Sequence, residues 1–394
     1  MKIVMISNYI NHHQIPFAEA LLKIPGVEYY FIQTEPMDEE RVKMGWETDV
    51  KKLPYVQLLY EDETVSRALI ADCDLLLAGW MNREDLIEER LKSGKLTVRM
   101  SERLYREGQY KMISPRGLIR KYKEHTRYRN QNVFLLCLGA YVSSDFHLIR
   151  AYPQKMFQFG YFTELRTYRE NELCKMKPDV SELQFIWAGR FIPLKHPEFA
   201  LQLAADLKKA GISFHLHMVG DGEMKEELLD YQKENSLQEE VSFYGFMNPE
   251  QVRDKMEQCH IHLFTSNYLE GWGAVVNESM NSGCVPVVND EIGCAPFLIQ
   301  NGKNGLLYHG GEYEDLKKQV FTLVSDREQI QKMGLAAYEQ IATVWNAENA
   351  AKQLLRFYDN FQKGKIDPPA EGPFSVAEIL KAPKRLDQKN ARKL

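Results

Sequence analysis

Short apolar runs recur along this chain with amphipathic stretches between them, and that alternation constrains its fold more than any other feature. Such a run, bounded by turn residues, reads as a strand buried on both faces, and an amphipathic stretch between two runs reads as a crossover helix. Runs near 2–7, 27–33, 55–60, 74–79, 96–101, 133–139 and 155–161 fill the first half. Runs near 184–189, 213–219, 241–245, 261–265, 284–289 and 305–308 fill the second. The pattern predicts an α/β chain built on parallel sheets. One helix is well marked: Pro197 opens it, Phe199, Leu203 and Leu207 recur every four residues, and Gly211 lies beyond its end.

A length of 394 residues with 44% hydrophobic content suits two cores rather than one. The expected division is a first domain over 1–163, a polar linker over 164–182 and a second domain over 183–345. A helix and tail over 346–394 would then pack back toward the first domain. Lys363 to Leu394 reads as an extended surface segment or as partial disorder. The chain holds 50 basic and 55 acidic residues, a net charge of −5, which argues against a dedicated nucleic-acid binder. Its six cysteines are scattered without metal-ligand spacing and read as reduced core residues of a cytoplasmic protein. The apolar run at the start is too short for a signal peptide, and no stretch approaches the ~18 residues of a membrane span.

The chemistry concentrates in the second half. Ile261 to Phe264 reads as a strand, followed by the loop Leu269-Glu270-Gly271-Trp272-Gly273 and a helix carrying Glu278. In an open parallel sheet, ligands bind beyond the carboxyl ends of the strands, where Glu270 falls. Gly271 and Gly273 permit close backbone approach. The helix start near Gly273 offers unpaired N–H groups to an anion. Glu278 lies about 7.5 Å further along the axis, placed to accept hydrogen bonds from paired hydroxyls. Together these suit a phosphate-bearing ligand with hydroxyls at both ends; alone, each glutamate would read as an exposed charge. A second strand, Phe185 to Gly189, delivers Arg190 and Lys195 to the same edge, where a forked guanidinium and an ammonium can neutralise a pyrophosphate. Val219-Gly220-Asp221-Gly222 lacks the third glycine of a dinucleotide fingerprint. At Tyr244-Gly245-Phe246-Met247, backbone groups can meet a base ring.

These motifs, with Gly283-Cys284-Val285-Pro286 and Asn301-Gly302-Lys303-Asn304-Gly305, resemble the donor domain of retaining family 4 glycosyltransferases (glycosyltransferases group 1). The likeness runs over about residues 184–310. It implies the GT-B fold, two Rossmann-like parallel-sheet domains facing each other across a cleft. It implies that Arg190 and Lys195 hold the diphosphate of a nucleotide sugar, that Glu278 binds its ribose, and that Glu270 contacts its sugar. The backbone of Gly271, Trp272 and Gly273 would meet the sugar as well, and Ala274, Val275, Gly220, Gly245 and Phe246 complete the donor set. Glu270, Arg190 and Lys195 form the catalytic set, acting with retention of configuration and with neither metal nor cofactor. The expected reaction is hexosyl transfer from a UDP-sugar to an acceptor of a surface polysaccharide or glycoconjugate. A nucleotide-sugar epimerase of the same fold and a non-catalytic sugar-nucleotide-binding subunit are the alternatives.

The first half departs from that family. Asn8-Tyr9-Ile10-Asn11-His12-His13 stands where a glycine pair is usual, and Arg99-Met100-Ser101-Glu102-Arg103 where a histidine–aspartate pair is usual. His12, His13 and Glu102 are the acceptor-side candidates. Asp72-Cys73-Asp74 spells a metal signature of a different fold but precedes a strand, away from the ligand edge. Residues 99–129 hold ten Lys or Arg against three acids, a net of +7, with four interleaved tyrosines. That stretch reads either as a solvated basic face or as a surface that meets a lipid-linked phosphorylated acceptor or, peripherally, the inner face of a membrane.

Overall fold

Every predicted apolar run becomes a strand. The computed structural model describes residues 1–38, 48–169, 172–179 and 181–383. The chain divides into two units, one of residues 1–164 with 346 onward, the other of residues 165–345.

In the first unit the strands are β1 (Lys2–Ser7), β2 (Glu28–Gln33), β3 (Val56–Leu58), β4 (Leu75–Ala78), β5 (Thr97–Ser101), β6 (Val133–Leu138) and β7 (Met156–Phe159). They form one sheet in the order β3-β2-β1-β4-β5-β6-β7, parallel throughout. β6 shows why the runs were legible: all six of its residues are buried, because helices cover both faces of a parallel sheet.

The second unit contains β8 (Leu183–Ala188), β9 (Phe214–Val219), β10 (Val241–Gly245), β11 (Ile261–Phe264), β12 (Val285–Asn289) and β13 (Leu306–Tyr308). Their order is β10-β9-β8-β11-β12-β13, again all parallel. Alternate residues serve opposite faces. Phe185 and Trp187 enter a large core with the Glu198–Lys209 helix, while Ile186 packs with Val219, Met256, Cys259 and Cys284 on the other side. The strand order reverses between β8 and β11, and in the first unit between β1 and β4. A crevice opens at such switch points in doubly wound sheets.

The polar stretch expected as a linker is instead seated on the second unit. Arg166 exchanges two backbone hydrogen bonds of 2.9 Å with the Asn281 side chain and reaches Asp254 and Glu257 at 2.7 Å. A short helix follows at Glu172–Met176, and the Lys177 ammonium donates to the Ser282 carbonyl at 3.0 Å. At the other end, the chain returns to the first unit. The Ala347–Gln362 helix sets Phe357 edge-on to Phe134, with centroids 5.0 Å apart. The tail then continues past it: Phe374 is buried and Val376 forms an antiparallel bridge with Phe157 of β7.

Candidate active site

The loops after β8 and β11 are stitched together at the switch point. The Asn267 amide donates to the Leu194 carbonyl at 2.9 Å. The Thr265 hydroxyl accepts from the Trp187 indole at 2.7 Å and lies 2.7 and 2.8 Å from the carbonyls of Lys195 and His196. His196 takes a left-handed backbone, φ 47°, to make the turn. Sequence reading missed Thr265, Asn267 and His196. For Thr265 and Asn267 the local signal is a polar Thr-Ser-Asn triplet directly after an apolar strand.

This scaffold brings two of the predicted residues into contact. The Lys195 ammonium pairs with the Glu270 carboxylate, and both side chains are about four-fifths buried, each 18% exposed. Lys195 also lies over the Phe264 ring, 5.4 Å from its centroid. Arg190 sits exposed on the same strand end, five residues before Lys195. The Ala274–Asn281 helix begins beside them with no side-chain cap on its first turn, leaving Ala274 and Val275 half-buried at a positive helix end. Gly273 makes that start possible. Its φ is +91°, and a Cβ there would sit 2.7 Å from the Phe264 ring.

Trp272 is placed for the backbone role that the resemblance implies. Its side chain is 2% exposed, its indole donates to Asn277 at 2.8 Å, and it packs against Phe297 and Trp345. The indole is therefore part of the core, and only backbone atoms at this position can meet a ligand. Gly220 likewise has a structural reason to be glycine. A Cβ there would fall 1.8 Å from the Gly189 carbonyl oxygen, so the β8 and β9 loops could not approach. Gly245 accepts from the Gly220 amide at 2.8 Å, and Phe246 projects 63% exposed beyond it, a free ring face at the strand ends.

Glu278 is half-buried on the helix. Burial pushes its carboxyl up to about 7, against the opposing pull of Arg253 and Arg166. Arg253 is itself anchored to Asn281 and to the Ser282 hydroxyl. A carboxylate this costly to ionise gains most from a ligand that donates hydrogen bonds to it.

The three acceptor-side candidates lie in the first unit. The His12 and His13 rings are 3.8 Å apart and half-buried, and burial lowers the His12 pKa. His13 is 6.0 Å from the Tyr161 ring, and the Tyr161 hydroxyl donates to Glu102 at 2.8 Å. The other Glu102 oxygen is held by Arg106. Tyr161, which sequence reading missed, is thus the residue that links the histidine pair to the carboxylate. Asp74 of the Asp-Cys-Asp triplet accepts from the Lys2 amide at 2.7 Å, at the amino end of β4 and away from the ligand edge.

Two parallel-sheet units, one with paired charges and an uncapped helix at its switch point, define the GT-B class of glycosyltransferase folds. Residues 169–340 match the family described as glycosyl transferases group 1. The chain is 27% identical over 179 residues to a D-inositol 3-phosphate glycosyltransferase of Nocardia farcinica, covering 44% of this chain and 39% of the relative. It is 26% identical over 211 residues to an N-acetyl-alpha-D-glucosaminyl L-malate synthase of Bacillus anthracis, covering 52% and 54%. The matches thus span about half or less of these relatives. In three dimensions it resembles Anabaena HepE, solved in complex with UDP and glucose, with a TM-score of 0.61 over 90% of this chain and 98% of that one. At 14% identity that likeness concerns the fold alone. No helix among the described residues is long and apolar enough to cross a membrane.

Proposed function

We propose that the protein transfers a hexose from a nucleotide-diphosphate sugar, with UDP favoured as carrier, to an acceptor of a surface polysaccharide or glycoconjugate. The reading adopts the retaining chemistry of family 4 and a cytoplasmic location. The observation that carries it is the Lys195–Glu270 pair at the β8/β11 switch point, beside the uncapped start of the Ala274–Asn281 helix.

Glycosyl transfer breaks the bond between the anomeric carbon and a phosphate oxygen while a bond forms to the acceptor oxygen. Negative charge develops on the leaving diphosphate. Arg190, Lys195 and the helix start are preorganised cations and dipoles that stabilise that charge, so this reading requires neither metal nor cofactor. In the ligand-free protein Lys195 neutralises Glu270. An arriving diphosphate competes for Lys195, which frees Glu270 to accept a hydrogen bond from the sugar. Glu278 would hold the ribose hydroxyls, and the exposed Phe246 ring would meet the base. In the retaining course the acceptor attacks on the face the diphosphate leaves, and its proton passes to the departing phosphate oxygen. No dedicated protein base is then needed, which suits a first unit whose Glu102 is already held by Tyr161 and Arg106.

A thermal-shift screen over UDP-, GDP- and ADP-sugars tests this directly. Stabilisation by a UDP-sugar together with slow release of free sugar supports a transferase. Binding without release would indicate a silent subunit, and appearance of an epimeric nucleotide sugar an epimerase. No shift with any nucleotide sugar would sink the reading.

A further inference from the structure

The basic stretch of the first unit carries less free charge than its composition suggests. Arg99, Arg103 and Arg127 are engaged by Glu84, Asp145 and Glu88, acids from outside the stretch, while Arg106 and Lys111 pair with Glu102 and Glu107. What remains is a compact segment: a 3-10 turn at Gln109–Ile113 and a helix at Pro115–Glu124, capped by the Ser114 hydroxyl.

That helix is inverted relative to an ordinary surface helix. Pro115, Leu118, Ile119 and Tyr122 fall at the i, i+3, i+4, i+7 spacing of one apolar stripe, which normally faces a core. Here no residue of the helix is buried. Ile113 is 78% exposed, Ile119 and Tyr122 58% each, and Leu118 39%. The half-buried back of the helix is instead Gly117, Lys121 and Glu124. Arg120 and Lys121 neutralise Glu124. Arg116 and Lys123, which border the apolar stripe along one side, make no ion pair among the described residues.

We propose that this segment is an interfacial helix that docks the protein on an anionic bilayer surface. Ile113, Leu118, Ile119 and Tyr122 enter the boundary between headgroups and acyl chains, while Arg116 and Lys123 meet lipid phosphates. The chemistry fits a bilayer because apolar insertion and a cationic border act together there, with the long basic side chains reaching up to the headgroups. Self-association fits less well, since two copies of this face would bring like charges together. The contact is peripheral and needs no donor. It rests on the proposed function only for its purpose, to bring the enzyme to a lipid-linked acceptor.

Flotation of the full chain with vesicles of phosphatidylcholine alone or mixed with phosphatidylglycerol tests the proposal. Recovery should be about ten-fold higher on the anionic vesicles and should fall with added salt. The I113D/I119D variant should lose about ten-fold of that recovery while keeping the native melting temperature, because both side chains are already in water. Equal recovery on the two vesicle types, or full recovery of a folded variant, overturns it. A dimer in lipid-free solution that the variant converts to monomer also overturns it, and assigns the face to a second copy. Failure of the nucleotide-sugar screen would leave the flotation result unaffected, so the two readings can fail separately.

Discussion

At the scale of single residues, Glu278 is where stability and binding oppose each other. Its folded pKa, about 7, lies above the ordinary carboxyl value of 4.5, so the folded chain holds the proton more tightly than the unfolded one. Stability from this group is therefore full below the ordinary value and is lost as pH rises through about 7, by on the order of 3 kcal/mol. Glu278→Gln should raise the melting temperature at pH 8 and do so hardly at all at pH 4. In its proposed ribose role, the same change should weaken donor binding about ten-fold or more at pH 8. An unchanged affinity removes Glu278 from that role. Arg190→Ala should lower turnover by about 10- to 100-fold with a smaller effect on donor affinity, because it acts on charge that develops during bond cleavage. A loss confined to KM contradicts this. The glutamate pair was legible because its context is local, a glycine loop and a helix within a dozen residues. Tyr161, Thr265 and Asn281 were not, because their partners lie 59, 70 and 115 residues away. The burial of the Trp272 ring was not legible either, because Phe297 and Trp345, which decide it, are distant in sequence.

At the scale of elements, the switch-point loops depend on one hydroxyl and one glycine. Thr265→Val leaves the buried Trp187 indole without its acceptor, at a cost of about 1–3 kcal/mol. It should also reduce turnover, since the Lys195 and His196 carbonyls lose their tie; wild-type activity in a destabilised variant would separate scaffold from site. Gly273→Ala adds a methyl against Phe264 in a left-handed backbone and should cost about 1–3 kcal/mol, read by denaturant unfolding. The strands themselves were readable because covered parallel strands leave unbroken apolar runs. The segment over 109–124 was readable only as charge. Composition counted its cations but could not show which were neutralised by distant acids, nor that its apolar stripe faces outward.

At the scale of the molecule, each unit has its own core, and the proposed function places the nucleotide on the second. UDP at about 100 times its dissociation constant should stabilise the second unit by about 2.7 kcal/mol and leave the first unit's unfolding unmoved. Calorimetry with and without UDP reads the difference. Phe374→Ala should act on the other transition, lowering the first unit's stability by about 3–5 kcal/mol through loss of a buried ring. That ring belongs to a segment that comes back to the first unit only after residue 345. Synthesis therefore leaves the first unit unfinished while residues 165–345 are being made, roughly 10–40 s at ordinary ribosomal rates. Throughout that interval Phe134 and the outer edge of β7 stay uncovered on the nascent chain. A chaperone or the emerging second unit has time to meet them before the Ala347–Gln362 helix arrives, so the amino-terminal unit, first to leave the ribosome, is the last to be completed.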